Sequence, residues 1–459
     1  MKNNNIFKRQ QLNNNNDSMQ DLKYNWFNIY KSKPKWADYY YRSAFGVKKK
    51  RPLSRLNLPK TITEGINSLL FSETPTIKTN EYIEEIFKNN DFLTNLKKWY
   101  EYVNALGGGA LKIYVKNGET TIDFVKAQNF VPVNFNNTMI TDADFYSDEI
   151  YNGEKYTIIE QHRIKETGYE ITTLVYNASG SEVQLSDIGR SEEKTIEFSN
   201  ITHPLFVYCP SVVTNNLNSE SPENISLFAN SEHVLHECDN SFDALNSEVR
   251  LGRKRLIVGS GMIQKSYDED GNLVNYVDPS DEIFTALNSD DIERLQVMDN
   301  SSGQLRITDL TNSLNVNLKL LSMSMGFDAN FLSFDAVGGL KTATEIISDN
   351  SATFRRISLM KRSLEKCIND LCRVIMIYKS SLDGGISYVD EDFVIKFEDN
   401  IIEDRNSKTA YWHGRLLNKT ATLEDVLIHL DGLSAEDAKK KADELREVNK
   451  TVTPPNMFE

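Results

Sequence analysis

The chain has 459 residues, of which 39% are hydrophobic and 26% charged. That is enough for two or three domains, or one large discontinuous one, built around a core. Sixty-six acidic against 52 basic residues leave a net charge of −14, which argues against a surface that grips nucleic acid by neutralising many phosphates. No apolar run reaches the ~18 residues of a membrane helix. The N-terminal MKNNNIFKRQQLNNNNDSMQ lacks the apolar stretch of a signal peptide, so no membrane partner is expected and assembly is expected in the cytoplasm.

Residues 1–20 are Asn-rich and polar and read as a flexible arm. From Asp21 to Ala105 the patterns are mostly helical, as in ITEGINSLLF and YIEEIFKNNDFLTNLKKWYEYVNAL, where apolar residues recur every three or four positions. The period then changes to two. ALKIYVKNGETTIDFVKA reads as a hairpin around Asn117-Gly118, and EKYTIIEQHRI, YEITTLVYN and EKTIEFSN continue the strands to about residue 210. The fold class implied is α+β, with a mixed body at the front of the chain.

Three helical segments follow. Phe228, Leu235, Cys238, Phe242, Leu245 and Val249 form a narrow apolar seam of the kind that packs lengthwise on a neighbouring helix. Leu310, Leu314, Leu318, Leu321 and Met325 form a second, closed by Gly326 at a C-terminal cap position. Between them, RKRLIVGSGMIQK and NLVNYVDP flank the turn sequence DEDGN and indicate a small β-containing module. In the third, Thr342 and Glu345 fit a capping box, so a helix starts near Lys341. Ala343, Ile347, Phe354, Ile357, Leu364, Ile368, Leu371 and Ile375 carry its seam to about residue 380, interrupted by Asn350 and Lys361.

Motifs for chemistry are missing from this pattern. In DAVGGLKTATEI, Leu340 separates Gly339 from Lys341 and no upstream glycine stands where a phosphate-cradling GxxxxGK loop needs one. Gly107-Gly108-Gly109 joins helix to strand, the reverse of the order that aims a helix N-terminus at phosphate. His233, His236 and Cys238 lack a second cluster of ligand residues and read as helix-surface and seam residues. The four cysteines, Cys209, Cys238, Cys367 and Cys372, are scattered with no CxxC pair, so reduced thiols are expected. No GxSxG, HExxH or other catalytic signature occurs, and neither cofactor nor metal is expected.

The succession of mixed body, helix, β module, helix, glycine-containing loop, long helix and helical C-terminus, over about residues 60–400, resembles the portal proteins of tailed bacteriophages, of the siphophage branch of Gram-positive hosts. LNSESPENISLFANSEHVLHECDNSFDALNSEVRLGRKRLIV is similar to that branch's run into the first stem helix and clip. SMSMGFDANFLSFD resembles its exit from the second stem helix, and GLKTATEIISDNSATFRRISLMKRSLEKCINDL its tunnel loop and following helix.

The resemblance implies a wing at 21–225 rejoined by 385–404, and stem helices at 226–252 and 303–327 around a clip at 253–302. It further implies a tunnel loop at 328–341, a long tunnel helix at 342–384 and a helical crown at 405–459. Implied too is a ring of twelve copies at one capsid vertex of the virion, through which double-stranded DNA is packaged and ejected with weak sequence-independent contact. Its partners would be the terminase motor, a connector or adaptor protein, and the major capsid and scaffolding proteins. The chain would not be an enzyme, since ATP hydrolysis belongs to the motor. Phe331, Leu332, Phe334, Gly338, Gly339 and Lys341 would then face DNA, with Thr342, Glu345 and Asn350 as cap and bend of the long helix. Arg250, Arg253, Lys254 and Arg255 form a basic cluster between stem and clip. Another capsid structural protein, or a nucleic-acid-processing enzyme with an unrecognised site, stays open as an alternative.

Overall fold

The computed structural model describes residues 17–42, 48–72, 75–116, 119–137, 139–190, 193–199, 201–251, 256–259, 265–267, 273–275, 283–287, 305–332, 351–382, 393–397, 405–431 and 435–451. They fall into two units by their internal contacts. The larger comprises residues up to Val337 together with Arg355–Phe397. The smaller comprises Gly338–Phe354 and Glu398–Glu459.

The larger unit begins with helix α1 (Asp17–Tyr30), a hairpin of β1 (Asp38–Arg42) and β2 (Lys48–Pro52), helix α2 (Leu58–Leu70) and strand β3 (Thr76–Lys78). Two further helices are α3 (Glu81–Asn89) and α4 (Phe92–Leu106). Residues 21–105 are thus mostly helical, with two features that the periodicity does not show. Residues 38–52 form a hairpin, because DYYYR and KKKRP pair residue by residue from Asp38↔Pro52 to Arg42↔Lys48. What sequence periodicity joins as one helix is broken at Asp91, which adopts φ 44, a left-handed conformation that a short polar side chain tolerates and a helix does not. Trp26, Ile62, Ile66, Leu96, Tyr100 and Val103 from these helices meet in the main core.

Gly107 ends α4 at φ 93, and a Cβ there would collide with the backbone at Asn224 and Ile225. The chain then enters β4 (Gly108–Lys116), which pairs with β5 (Glu119–Lys126) in unbroken register from Gly109↔Lys126 to Lys116↔Glu119; the turn itself, at 117–118, lies outside the described residues. A second sheet follows from β6 (Phe130–Asn136), β7 (Met139–Tyr151), β8 (Glu154–Lys165) and β9 (Gly168–Tyr176), with β10 (Glu182–Val183) and β11 (Thr195–Ser199) both on β9. Strand β12 (Phe206–Pro210) returns to pair with β4. Every pairing in these two sheets is antiparallel.

Helix α5 (Glu232–Leu251) comes next, then four short strands, β13 (Leu256–Gly259), β14 (Lys265–Tyr267), β15 (Leu273–Asn275) and β16 (Ile283–Leu287). β13 pairs in parallel with β16, and β14 antiparallel with β15; the DEDGN turn lies outside the described residues. Helix α6 (Ile307–Ser324) leads to α7 (Ser351–Leu382), and β17 (Val394–Lys396) pairs with β3 across the chain. From Arg355 onward α7 runs through the core of the larger unit, with Met360, Leu364, Ile368, Leu371, Cys372 and Ile375 fully buried. At ~1.5 Å per residue its 32 residues span about 48 Å. The expectation of four reduced thiols is corrected here. Cys209 on β12 and Cys367 on α7 are joined by a disulfide. The 158 residues between them hide that proximity from any local reading. Cys238 and Cys372 are free and buried.

The smaller unit contains α8 (Arg405–Leu417), α9 (Leu423–Asp431) and α10 (Ala435–Thr451). Thr422 caps α9 by accepting from the Asp425 amide, and the Asp425 carboxylate accepts from the Thr422 amide in return. Leu427 packs on Ala438 and Ala442 of α10. Among the described residues no helix is long and apolar enough to cross a membrane.

Candidate assembly and channel surfaces

Helices α5 and α6 form an antiparallel pair, and three polar contacts fix its direction and register. Ser231, just before α5, is 2.8 Å from Ser324 at the end of α6. Midway, the Asn317 amide donates to Ser241 at 2.8 Å. At the other end Arg306 forks onto the Glu248 carboxylate, 3.0 Å away. The apolar seams lie between these contacts. Leu235 and Cys238 of α5 and Leu314, Leu318 and Leu321 of α6 are buried, whereas Phe242 and Leu245 are half-buried and Val249 is exposed. The seam thus opens toward the end that carries the small β strands.

Gly326 closes α6 at φ 80. Its amide donates to Met323 and the Phe327 amide donates to Ser322, the double bond pattern of a Schellman cap.

The root of α5 is fastened to the N-terminal part of the chain by side chains that no seam reading identifies. Lys23 of α1, fully buried, donates to the Glu223 carboxylate at 2.5 Å and to the Phe130 carbonyl. Burial pushes the Glu223 carboxyl upward and the Lys23 ammonium opposes it. Asn25 and Trp26 donate to Glu232, Trp36 to Asp239, and Arg51 to both carboxylate oxygens of Asp243. The Arg51 bonds hold the Asp243 carboxyl below its usual range. Four contacts from residues 25–51 therefore track along one face of α5.

The outward side of α6 is different. Val316, Leu320 and Met323, spaced four and three apart, are 55%, 50% and 60% exposed. They form a second apolar row opposite the buried one.

The site residues inferred from sequence fall unevenly in this frame. Phe331 stacks on Phe327 with ring centroids 4.7 Å apart, and the Leu332 amide donates to Ser322, so both residues dock at the end of α6. Both are partly buried against the core. Arg250 is exposed in the last turn of α5. Phe334, Gly338, Gly339, Lys341, Thr342, Glu345, Asn350, Arg253, Lys254 and Arg255 lie outside the described residues.

His233 is exposed, His236 packs on Trp36 at 5.2 Å between ring centroids, and burial pushes the Cys238 thiol up to about 12. Those three do not converge, and among the described residues no group of three His, Cys, Asp or Glu could hold a metal ion. What sequence reasoning missed is the outward row on α6 and the buried Lys23–Glu223 pair. The row had a signal in its 4, 3 spacing. The pair had none, because 200 residues separate its members.

A family model described as "Phage portal protein, SPP1 Gp6-like" matches residues 13–451. No curated protein matches the chain.

Proposed function

Because the chain belongs to the SPP1 Gp6-like family of phage portal proteins, a structural family of the virion capsid concerned with DNA packaging, we propose that it forms a closed ring at one capsid vertex and lines the channel through which DNA enters and leaves. Twelve copies are the expected number. The observation that carries the ring is the outward row Val316, Leu320 and Met323, an exposed apolar row about two helical turns long that a neighbouring subunit would cover. In a cyclic head-to-tail arrangement each α6 presents this row to the next subunit.

In this reading residues 226–252 and 303–327 are the stem. Residues 253–302 are the clip, docking the terminase motor and later the connector, and 328–341 form the tunnel loop. Residues 21–225 with 385–404 make the wing, 342–384 the long tunnel helix, and 405–459 the crown. The loop would comprise Phe331, Leu332, Phe334, Gly338, Gly339 and Lys341, with Thr342, Glu345 and Asn350 as cap and bend of the helix beyond. Lys341, Arg250, Arg253, Lys254 and Arg255 would be the cations nearest DNA in the channel, where the net −14 of each copy disfavours a tight grip on the passing duplex.

Negative-stain images of the purified chain test the reading. Closed rings with a central opening, and no ATPase or nuclease activity, are expected; extended lattices or a hydrolytic activity would overturn it. Rings carrying Gly338→Ala and Gly339→Ala together should assemble but stall in packaging or leak DNA. Normal packaging would remove the loop from the mechanism.

A further inference from the structure

The net charge conceals one strongly cationic feature. Residues 31–55, KSKPKWADYYYRSAFGVKKKRPLSR, contain nine basic side chains and one acid, Asp38; that is +8 within a chain of −14, so the remaining residues carry −22. The described part of this stretch is the loop after α1 and the hairpin β1–β2. Lys33, Lys35, Lys48 and Lys49 are all exposed, and among the described residues no ion pair engages them. Lys50 meets Asp38 at 2.9 Å on the open surface.

The hairpin is an aromatic platform as well as a cationic one. Register places Tyr41 opposite Lys49 and Tyr39 opposite Arg51, so these four share one face. Tyr39 and Tyr41 stack at 6.4 Å, and the Arg51 guanidinium lies 4.7 Å from the centre of the Tyr39 ring. Tyr40, on the other face, is 70% exposed.

The base of this platform is rigid. Arg51 clamps Asp243 of α5, the Ser54 amide donates to the same carboxylate, Arg55 donates to the Ala37 carbonyl, and Trp36 is fixed to Asp239. The exposed lysines are thus carried on a backbone held against α5, and ordering it on binding costs little.

We propose that the hairpin β1–β2 and the preceding lysine loop are a docking site for the phosphate backbone of duplex DNA, distinct from the loop after α6. The chemistry favours a polyphosphate over an acidic protein face. Lysine is depleted where proteins meet proteins, while flexible ammonium groups are suited to neutralising phosphates without reading bases. Exposed tyrosine hydroxyls beside them can donate hydrogen bonds to phosphate oxygens. The inference leans on the family reading only for the identity of the polyanion.

The test is a titration of the full-length chain, in whatever assembly it adopts, with a labelled 30-base-pair duplex across a range of salt. The parent is compared with a variant carrying Lys33→Gln, Lys35→Gln, Lys48→Gln and Lys49→Gln. These side chains are exposed, so thermal melting confirms that the variant folds. Each lost phosphate contact lowers the slope of log K against log salt by about 0.9, so the variant should bind more weakly with a slope flatter by up to about 3.6. Equal affinity and slope in the two proteins, or a parent that fails to bind duplex at low salt, would overturn the inference. So would a variant that binds DNA like the parent but no longer forms rings or enters capsids, since that result assigns the site to an acidic protein face. Absence of rings in negative stain would instead refute the portal reading while the titration still reports on the hairpin.

Discussion

Helix α6 carries two rows of the same kinds of side chain with opposite fates. Leu314, Leu318 and Leu321 are buried against α5 and the core, while Val316, Leu320 and Met323 stand at least half exposed a third of a turn to half a turn away. Burying a Leu or Val side chain stabilises by about 1.5–3 kcal/mol. The inner row gains that within one chain, and the outer row gains it only from a neighbour. The difference between the two rows is therefore the difference between folding and assembly, and it separates what each substitution should do.

The largest effect belongs to the buried charge that ties α1 to the root of α5. Lys23→Met leaves the Glu223 carboxylate without its cation in a fully buried place, and breaking such a pair destabilises by about 3–5 kcal/mol. Denaturant titration should register this. A loss below ~1 kcal/mol would show that the chain relaxes around the site.

Leu318→Ala on the inner row should cost about 2–5 kcal/mol through lost transfer energy and a cavity. The midpoint of urea unfolding should fall while the purified folded fraction still assembles. Unchanged stability would break the comparison, because the inner row would then behave like the outer.

Acid should act on the sheet body before the helix pair. His162 is buried among Glu160, Lys112, Arg163 and Tyr169. Burial pushes its imidazole below the ordinary value, with Glu160 opposing. A depressed histidine contributes no pH dependence above 6.5 and destabilises the fold as pH falls below it, because the unfolded chain takes up the proton first. Glu160 adds a loss at lower pH. Burial alone would raise its carboxyl, yet His162 and Lys112 hold it at about 2, so its contribution is full above 4.5 and disappears as pH drops toward about 2. Unfolding measured at pH 7 and pH 5 should show the parent losing stability and His162→Gln losing less; identical losses would remove His162 as the cause.

The smallest effect is expected at the far end of the pair, where Arg306→Gln removes an exposed contact to Glu248. Such surface pairs contribute little, so the melting temperature should stay within measurement scatter. A clear drop would mean that this end is covered in the assembly.

Much of this architecture could be read from the residues, and the exceptions have physical causes. The inner seams were visible because Leu314, Leu318 and Leu321 repeat at helical spacing, and the β4–β5 hairpin because its strands alternate. The β1–β2 hairpin was not, since YYY and KKK have no alternation. The break at Asp91 was hidden because apolar spacing continues across it while a single left-handed residue redirects the chain. The Cys209–Cys367 bond and the Lys23–Glu223 pair join positions 158 and 200 residues apart, beyond the range of local pattern. At the candidate site, sequence identified the run that leaves α6, but not that Phe331 and Leu332 dock back on it.

The claim that α6 folds with one face and assembles with the other is tested most directly by the mass of the assembly in solution. Val316→Asp and Leu320→Asp are introduced together and compared with the parent by sedimentation velocity and thermal melting. A ring-sized species is expected for the parent and a folded monomer for the variant, with melting temperatures matched when both are measured as single chains at low concentration. A variant that still sediments as the full ring would contradict it.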